Sequence, residues 1–441
     1  MHMQASDIAA AVGGQVIGPD VTVDGATIDS RAVGAGQLFV PIVAARNGHD
    51  FIGAAAAAGA GAYLTAEGAR AGVDATAITC ADTAAGIADL GRFVRRRLPE
   101  RVVGVTGSVG KTSTKDLLAG ALATTYATAA SAKSFNNELG LPLTLANAPD
   151  DTEAVVVEMG ARGVGHIDHL CSIARPTVGI ITRVEAVHLE MFGSLAAVAQ
   201  AKGELIEALP ADGIAVLNAD HEHVIAMAER SAAPVISYGL TPSADVTATD
   251  IRLDAELRAS FRLHTPWGSA EVALNARGEH QVPNALAAAA AAGGLGVALE
   301  AIPAGLSGAA LSGLRMEMST TAAGVTIIND AYNANPTSMA AALQSLARLA
   351  AGRRVAVLGT MAELGDDGAA AHHAITALAR DLGIEVIAVA ETAYGPAAHH
   401  VGGVEEAAAA VADLTTGDAL LVKGSRVAAL ERVAQAFDPT A

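Results

Sequence analysis

The chain has 441 residues, 51% of them hydrophobic by type and 3% aromatic, and 46 acidic against 28 basic residues give a formal net charge of −18. That length is ample for several cores, and the composition is that of a folded protein rather than a disordered or fibrous one. So large a negative balance repels nucleic acid and anionic lipid, which argues against a nucleic-acid-binding role and confines any phosphate recognition to a local site.

The amino terminus, MHMQASDIAA, has no basic stretch followed by an apolar core, so no secretory signal is expected. Residues 1–98 are expected to form a small first α/β domain. They mix short β-like runs (VTVDGATIDS, QLFVPIV) with alanine-rich helix patterns such as Ile52 to Ala60, and Arg95-Arg96-Arg97 followed by Pro99 closes the region. Cys80 lies here and Cys171 in the next domain; with only these two, far apart and outside any CxxC pair, a reducing compartment is expected, and the cytoplasm fits best.

A second domain is expected over 99–313, built on a mostly parallel sheet. Val102-Val103-Gly104-Val105 reads as a buried strand, followed by glycines and a helical run from Lys111 to Leu122. Further buried-strand patterns are AVVVEM (154–159), VGIIT (178–182) and IAVLN (214–218), separated by alanine-rich helices as parallel crossovers require. Trp267, the only tryptophan, falls in RLHTPWGSAEV, which reads as a β-hairpin. The longest apolar run, Ala285 through Leu299, is short and mostly Ala and Gly, so a packed helix is expected rather than membrane insertion. From about Gly313 the pattern restarts with GVTIIND (324–330), RRVAVLG (353–359), VIAVA (386–390) and ALLVKG (419–424). Residues 314–441 are therefore expected to form a third, Rossmann-like domain.

The sharpest feature is GVTGSVGKTS, with Gly104, Gly107, Gly110, Lys111, Thr112 and Ser113 between strand and helix. Glycines let backbone N–H groups turn inward on phosphate oxygens, the helix adds its positive end, the lysine reaches the outer phosphates and the threonine can ligate Mg²⁺. The strict GxxxxGK[ST] spacing would need glycine where Val105 stands, so a plain glycine-rich turn with a solvated lysine is the alternative. Glu158 and His188 both follow strand ends of this domain, where a parallel sheet delivers residues to its ligands, although either could be an ordinary polar residue. Lys202 reads as a solvated helix residue. His166, His169 and Cys171 lack a fourth zinc ligand at suitable spacing, and His221-Glu222-His223 and His399-His400 read as solvated turns.

Taken in order, IDSRAVGAGQLFVPI, NGHDFIGAAAAAGA, TGSVGKTS, SFNNELGLPLTL, VVVEMGARGVGHI, ITRVEAVHLEMFGS, AKGEL, GEHQVPNALAAAAAA, LRMEM, NDAYNANPTSM, VLGTMAELGD and VKGSR resemble the Mur ligase family over nearly the whole chain. No DNPR-like motif, expected of relatives that add a diamino acid, occurs in the last domain. The resemblance implies three domains: one for the UDP-sugar, a central P-loop ATPase and a Rossmann-like ligase domain. It implies an ATP-dependent amide ligase that joins D-Ala-D-Ala to UDP-MurNAc-tripeptide through an acyl phosphate. By the same resemblance, Gly107, Ser108, Val109, Gly110, Lys111, Thr112 and Ser113 would hold ATP, with Asn284 at adenine, Asp330 near the ribose and Arg315 brought to the phosphates. Thr112, Glu158 and His188 would ligate two Mg²⁺ ions, and Lys202 would be the carbamylated lysine. Lys111, His188, Lys202 and Arg315 would then be the catalytic set.

Ser30 and Arg31 would lie near the UDP, and Asn136, Asn137 and Thr144 on the muramoyl side. Asn333, Asn335 and Pro336 would shape the dipeptide pocket. Thr360 stands where the family pattern has an acid, and Ser108 where threonine is common. A monomer with small-molecule partners is expected. The competing readings are another amide ligase of this fold acting on a muramoyl peptide or folate, a P-loop NTPase that ligates nothing, and a non-catalytic nucleotide-binding module.

Overall fold

The structure, a computed structural model, describes residues 1–132, 134–185 and 189–437. Three α/β units follow one another along the chain. In the first, five short strands lie in the order Val16–Ile17, Thr76–Thr79, Ala62–Thr65, Leu38–Phe39, Ala26–Thr27, parallel except for the first pair. The helix expected over Ile52 to Ala60 stops at Ala57, where the chain turns back through Gly59 into Ala62–Thr65. Helix Thr83–Arg95 closes the unit, started by the Asp82 carboxylate, which accepts the Ala85 N–H at 2.7 Å. Arg95 then reaches into the second unit and donates to the carbonyl oxygens of Ala174 at 2.6 Å and Arg175 at 3.2 Å, capping the end of helix His166–Ala174.

The second unit carries a six-stranded parallel sheet in the order Val235–Tyr238, Ile214–Asn218, Val178–Ile181, Val102–Thr106, Ala154–Glu158, Thr128–Ala130. Three of its four inner strands are buried throughout, as near-continuous Val and Ile runs demand when helices cover both faces. Strands are added to one side of Val102–Thr106 and then to the other, so its carboxyl end opens at a topological switch point, where open α/β sheets bind ligands. The alanine-rich run forms helix Gln281–Gly294, buried along the residues from Ala285 to Ala292 against helix Lys111–Ala123. Among the described residues no helix is long and apolar enough to cross a membrane.

Trp267 does turn a hairpin, between Arg258–Thr265 and Gly268–Arg277, and Thr247–Leu253 adds a third antiparallel strand. Leu257, at φ 63° before this hairpin, is buried within the core of the third unit among Met316, Ala334 and Met339. The third sheet runs Glu317–Thr320, Thr326–Asn329, Ala419–Lys423, Arg354–Leu358, Glu385–Val389, His399–Val401, parallel except for the first pair. His399 and His400 are thus exposed residues of an edge strand, not of a turn.

Candidate active site

The phosphate loop begins where Val102–Thr106 ends. Gly107 stands at φ 148°, and a Cβ there would lie 1.8 Å from Thr182 Oγ1. Gly110 stands at φ 90° as the N-cap of helix Lys111–Ala123, with Asn284 Oδ1 2.5 Å from where its Cβ would be. Thr182 Oγ1 donates to the Val109 carbonyl at 2.6 Å, and Ser108 Oγ accepts the Glu185 N–H at 2.9 Å, so the loop is fixed from the neighbouring strand end. Gly104 is not part of the turn: it lies inside the buried strand, where its missing side chain makes room for Leu205 and Met159. Gly107→Ala is expected to weaken binding of an ATP analogue about tenfold or more by calorimetry, because a strained φ alone costs about 1–3 kcal/mol and the clash displaces Thr182 as well.

Lys111 Nζ donates to the carbonyl oxygens of Gly107 at 2.7 Å and Ser108 at 3.4 Å. Burial holds its ammonium below the usual lysine range, opposed by the nearby Glu158 carboxylate. Thr112 Oγ1 donates to Glu158 Oε2 at 2.7 Å, and Asn136 Nδ2 donates to Oε1 at 2.8 Å. Glu158 is 1% exposed, so this carboxylate is aimed by the strand end and fixed by two side chains. Lys202, read from the sequence as solvated, is instead buried on helix Leu195–Glu207. Among the described residues no hydrogen-bond or ion-pair partner meets its ammonium, and burial, reinforced by the Lys111 charge, holds it well below the usual range. Two residues on, Glu204 accepts the N–H groups of Gly165 at 2.6 Å and Asp168 at 3.0 Å, holding the start of helix His166–Ala174.

Arg315 enters from the third unit. Its Nη2 donates to Thr112 Oγ1 at 2.8 Å, and its Cζ lies 4.3 Å from the Tyr332 ring centroid. The flanking Leu314 and Met316 stand at φ 59° and 54°, left-handed conformations that non-glycine residues adopt only when their surroundings impose them.

These groups line a cleft of about 870 Å³ between the second and third units. It gathers Lys111, Arg162, Arg183, Lys202 and Arg315 in a chain whose formal net charge is −18. Of the residues expected from the sequence, Gly107 to Ser113, Asn136, Asn137, Glu158, Lys202, Asn284, Arg315, Asp330, Asn333 and Asn335 all line it. Ser30 and Arg31 do not; Arg31 is exposed and paired with Asp29 at 2.7 Å. Thr144 does not either: it is buried, its hydroxyl donating to the Gly140 carbonyl at 3.0 Å within its own helix. His188 lies outside the described residues. Lys423, Tyr332, Ser134 and Arg162 line the cleft without having been singled out.

Thr112 and Glu158 offer hard oxygen donors beside the phosphate loop, the chemistry Mg²⁺ prefers. Among the described residues no group of three His, Cys, Asp or Glu side chains could hold a metal. Cys171 is buried, its thiol pushed up to about 12 by burial, and contacts Met159 rather than a histidine. His221 stands at the N-cap position of helix Glu222–Ile225, with no side-chain capping bond, and is only partly solvated, with burial lowering its pKa.

Comparison with known proteins agrees with this geometry. Residues 105–292 match the Mur ligase middle domain, and residues 314–426 match the family described as Mur ligase, glutamate ligase domain. The chain is 40% identical to the UDP-N-acetylmuramoyl-tripeptide–D-alanyl-D-alanine ligase of Mycobacterium tuberculosis, over 93% of this chain and 91% of that one. The crystal structure of MurF from Acinetobacter baumannii superposes with a TM-score of 0.88 at 30% identity and covers 99% of both chains. That of the MurF ligase from Thermotoga maritima in complex with ADP gives 0.81 at 27% identity, covering 95% of this chain and 97% of the other.

Proposed function

The chain belongs to the Mur ligase family, and from that premise we infer that it is an ATP-dependent ligase joining D-Ala-D-Ala to UDP-MurNAc-tripeptide to give the pentapeptide of the peptidoglycan precursor. The observation that carries this reading is Lys111 on the phosphate loop meeting Arg315 from another domain around Thr112 and Glu158. Division at 98/99 and 313/314, a cytoplasmic location and action as a monomer belong to the same proposal.

A carboxylate does not accept an amine at neutral pH, because its leaving group would be oxide. The tripeptide carboxylate therefore attacks the γ-phosphorus of ATP, releasing ADP and forming an acyl phosphate. The amine of D-Ala-D-Ala then attacks the carbonyl carbon, and the tetrahedral adduct expels phosphate. Two anions must meet in the first step, and Lys111 and Arg315 offset their repulsion. Mg²⁺ on Thr112 and Glu158 would add charge neutralisation at the phosphates. The His188 role and a second ion remain part of the proposal. Asn284, Asp330, Asn333 and Asn335 are assigned to adenine, ribose and the dipeptide, and Asn136 and Asn137 to the muramoyl side.

Lys202 suits carbamylation for a physical reason. Burial lowers the cost of losing the ammonium proton, the free amine is nucleophilic toward CO₂, and the product carbamate, formed with release of a proton, is an anion beside the Lys111 cation. Lys202→Ala is expected to lower kcat by about 10²–10³-fold, with partial recovery in acetate, whose carboxylate fits the vacated space. Unchanged activity in Lys202→Ala would remove this role.

The reading is tested by phosphate release. It should require UDP-MurNAc-tripeptide and D-Ala-D-Ala together, with a pentapeptide product in the mass spectrum. Turnover with ATP and Mg²⁺ alone would instead identify an NTPase.

A further inference from the structure

We propose that Lys423, from the VKGSR segment, is a positioning residue that aims Arg315 by holding Asp330 and the turn after it; the proposal rests on the ligase reading above. Lys423 closes the central strand Ala419–Lys423 of the third sheet, and Asp330 follows the adjacent strand Thr326–Asn329. The lysine side chain is 3% exposed. Its ammonium donates to Asp330 Oδ2 at 2.5 Å, to the Asn333 carbonyl at 2.9 Å and to the Asp330 carbonyl at 3.4 Å. Its acceptors thus all come from Asp330 and Asn333, so although it borders the cleft its bonds are made to the protein's own turn.

What it holds in place is the mount of Arg315. The second Asp330 oxygen, Oδ1, accepts the Met316 N–H at 3.1 Å. Tyr332, inside the turn, gives its N–H to the Leu314 carbonyl at 3.2 Å and lays its ring under the Arg315 guanidinium. Arg315 is thus gripped through the residue before it, the residue after it and its own side chain. Both neighbours are left-handed, a state that relaxes unless such contacts impose it. The ammonium bonds Asp330 and the Asn333 carbonyl, the two sides of the turn that carries Tyr332. Without it the Asp330 charge is left unpaired, the turn loosens, and Arg315 loses its aim at Thr112.

The test is a double-mutant cycle in the full-length enzyme, with product formation followed under saturating substrates and folding checked by thermal melting. Lys423→Met is expected to lower kcat about 100-fold, the scale of a small misplacement of a catalytic group, whereas Lys423→Arg retains most activity. In an Arg315→Ala background the same change should cost no more than about threefold, because the group it positions is gone. Losses that multiply, or an unchanged kcat in Lys423→Met, overturn the proposal. Lys423→Gln, which keeps a donor, is measured in parallel and should show the same loss and coupling. Failure of both Met and Gln variants to fold would assign the lysine a structural role alone and likewise overturn it. If the unmutated enzyme forms no pentapeptide, it is the ligase reading that fails instead.

Discussion

Lys111→Ala should lower kcat by between about a hundred- and a thousandfold, the usual loss when one preorganised group facing developing charge is removed. The lysine is buried and bonded to its own loop carbonyls, so its charge is held where an outer phosphate would meet the loop. Burial makes that charge costly in the free protein, and a phosphate lowers the cost when it arrives, which adds binding to the rate effect. Lys111→Arg should not restore activity, because a planar fork cannot adopt the compact ammonium's position among the Gly107 and Ser108 carbonyls. The measurement is steady-state kinetics on variants with unchanged melting temperature. Activity within about fivefold of the parent would contradict the assignment, since no other group on the loop supplies a cation.

Arg315→Ala should cost still more, about 10³–10⁵-fold in kcat, the range found when an arginine is withdrawn from a phosphoryl-transfer site. Its signature differs from that of Lys111. Arg315 comes from the third domain, whereas the loop, Thr112 and Asn284 belong to the second, so nucleotide affinity should change only a few-fold while turnover collapses. Arg315→Lys should recover part of the rate but not the bond to Thr112 together with the stacking on Tyr332, because a single ammonium cannot do both. Calorimetry with an ATP analogue, set beside kcat, separates the two. Loss of nucleotide binding comparable to the loss of rate would place Arg315 in ground-state binding instead.

Strands buried on both faces were legible because continuous Val and Ile runs have few other uses; Val102–Thr106, Ala154–Glu158 and Ala419–Lys423 fall where such runs were expected, within a residue or so. Edge strands were not. Thr128–Ala130 and Val235–Tyr238 are short and largely half-buried, Glu317–Thr320 is short with exposed ends, and such segments carry little apolar pattern. Lys202 was misread as solvated, yet a signal existed: on helix Leu195–Glu207 it falls four residues after Val198 and three before Leu205, on the buried stripe. Lys423 carried a similar cue as a cation ending a fully buried strand at the ligand-facing edge of the sheet. The grip of Asp330 and Tyr332 on Arg315 had none, because it depends on backbone conformations at Leu314 and Met316 that side-chain identity does not encode.

The central claim is that the phosphate loop hands the outer phosphoryl group to a peptide carboxylate and not to water. It is tested most directly with UDP-MurNAc-tripeptide whose terminal carboxylate is labelled with heavy oxygen. Because the carboxylate oxygen becomes the bridging atom of the acyl phosphate and leaves with it, the account requires each phosphate released to carry one labelled oxygen, with one pentapeptide formed alongside. Unlabelled phosphate, released without an equivalent of pentapeptide, would contradict it.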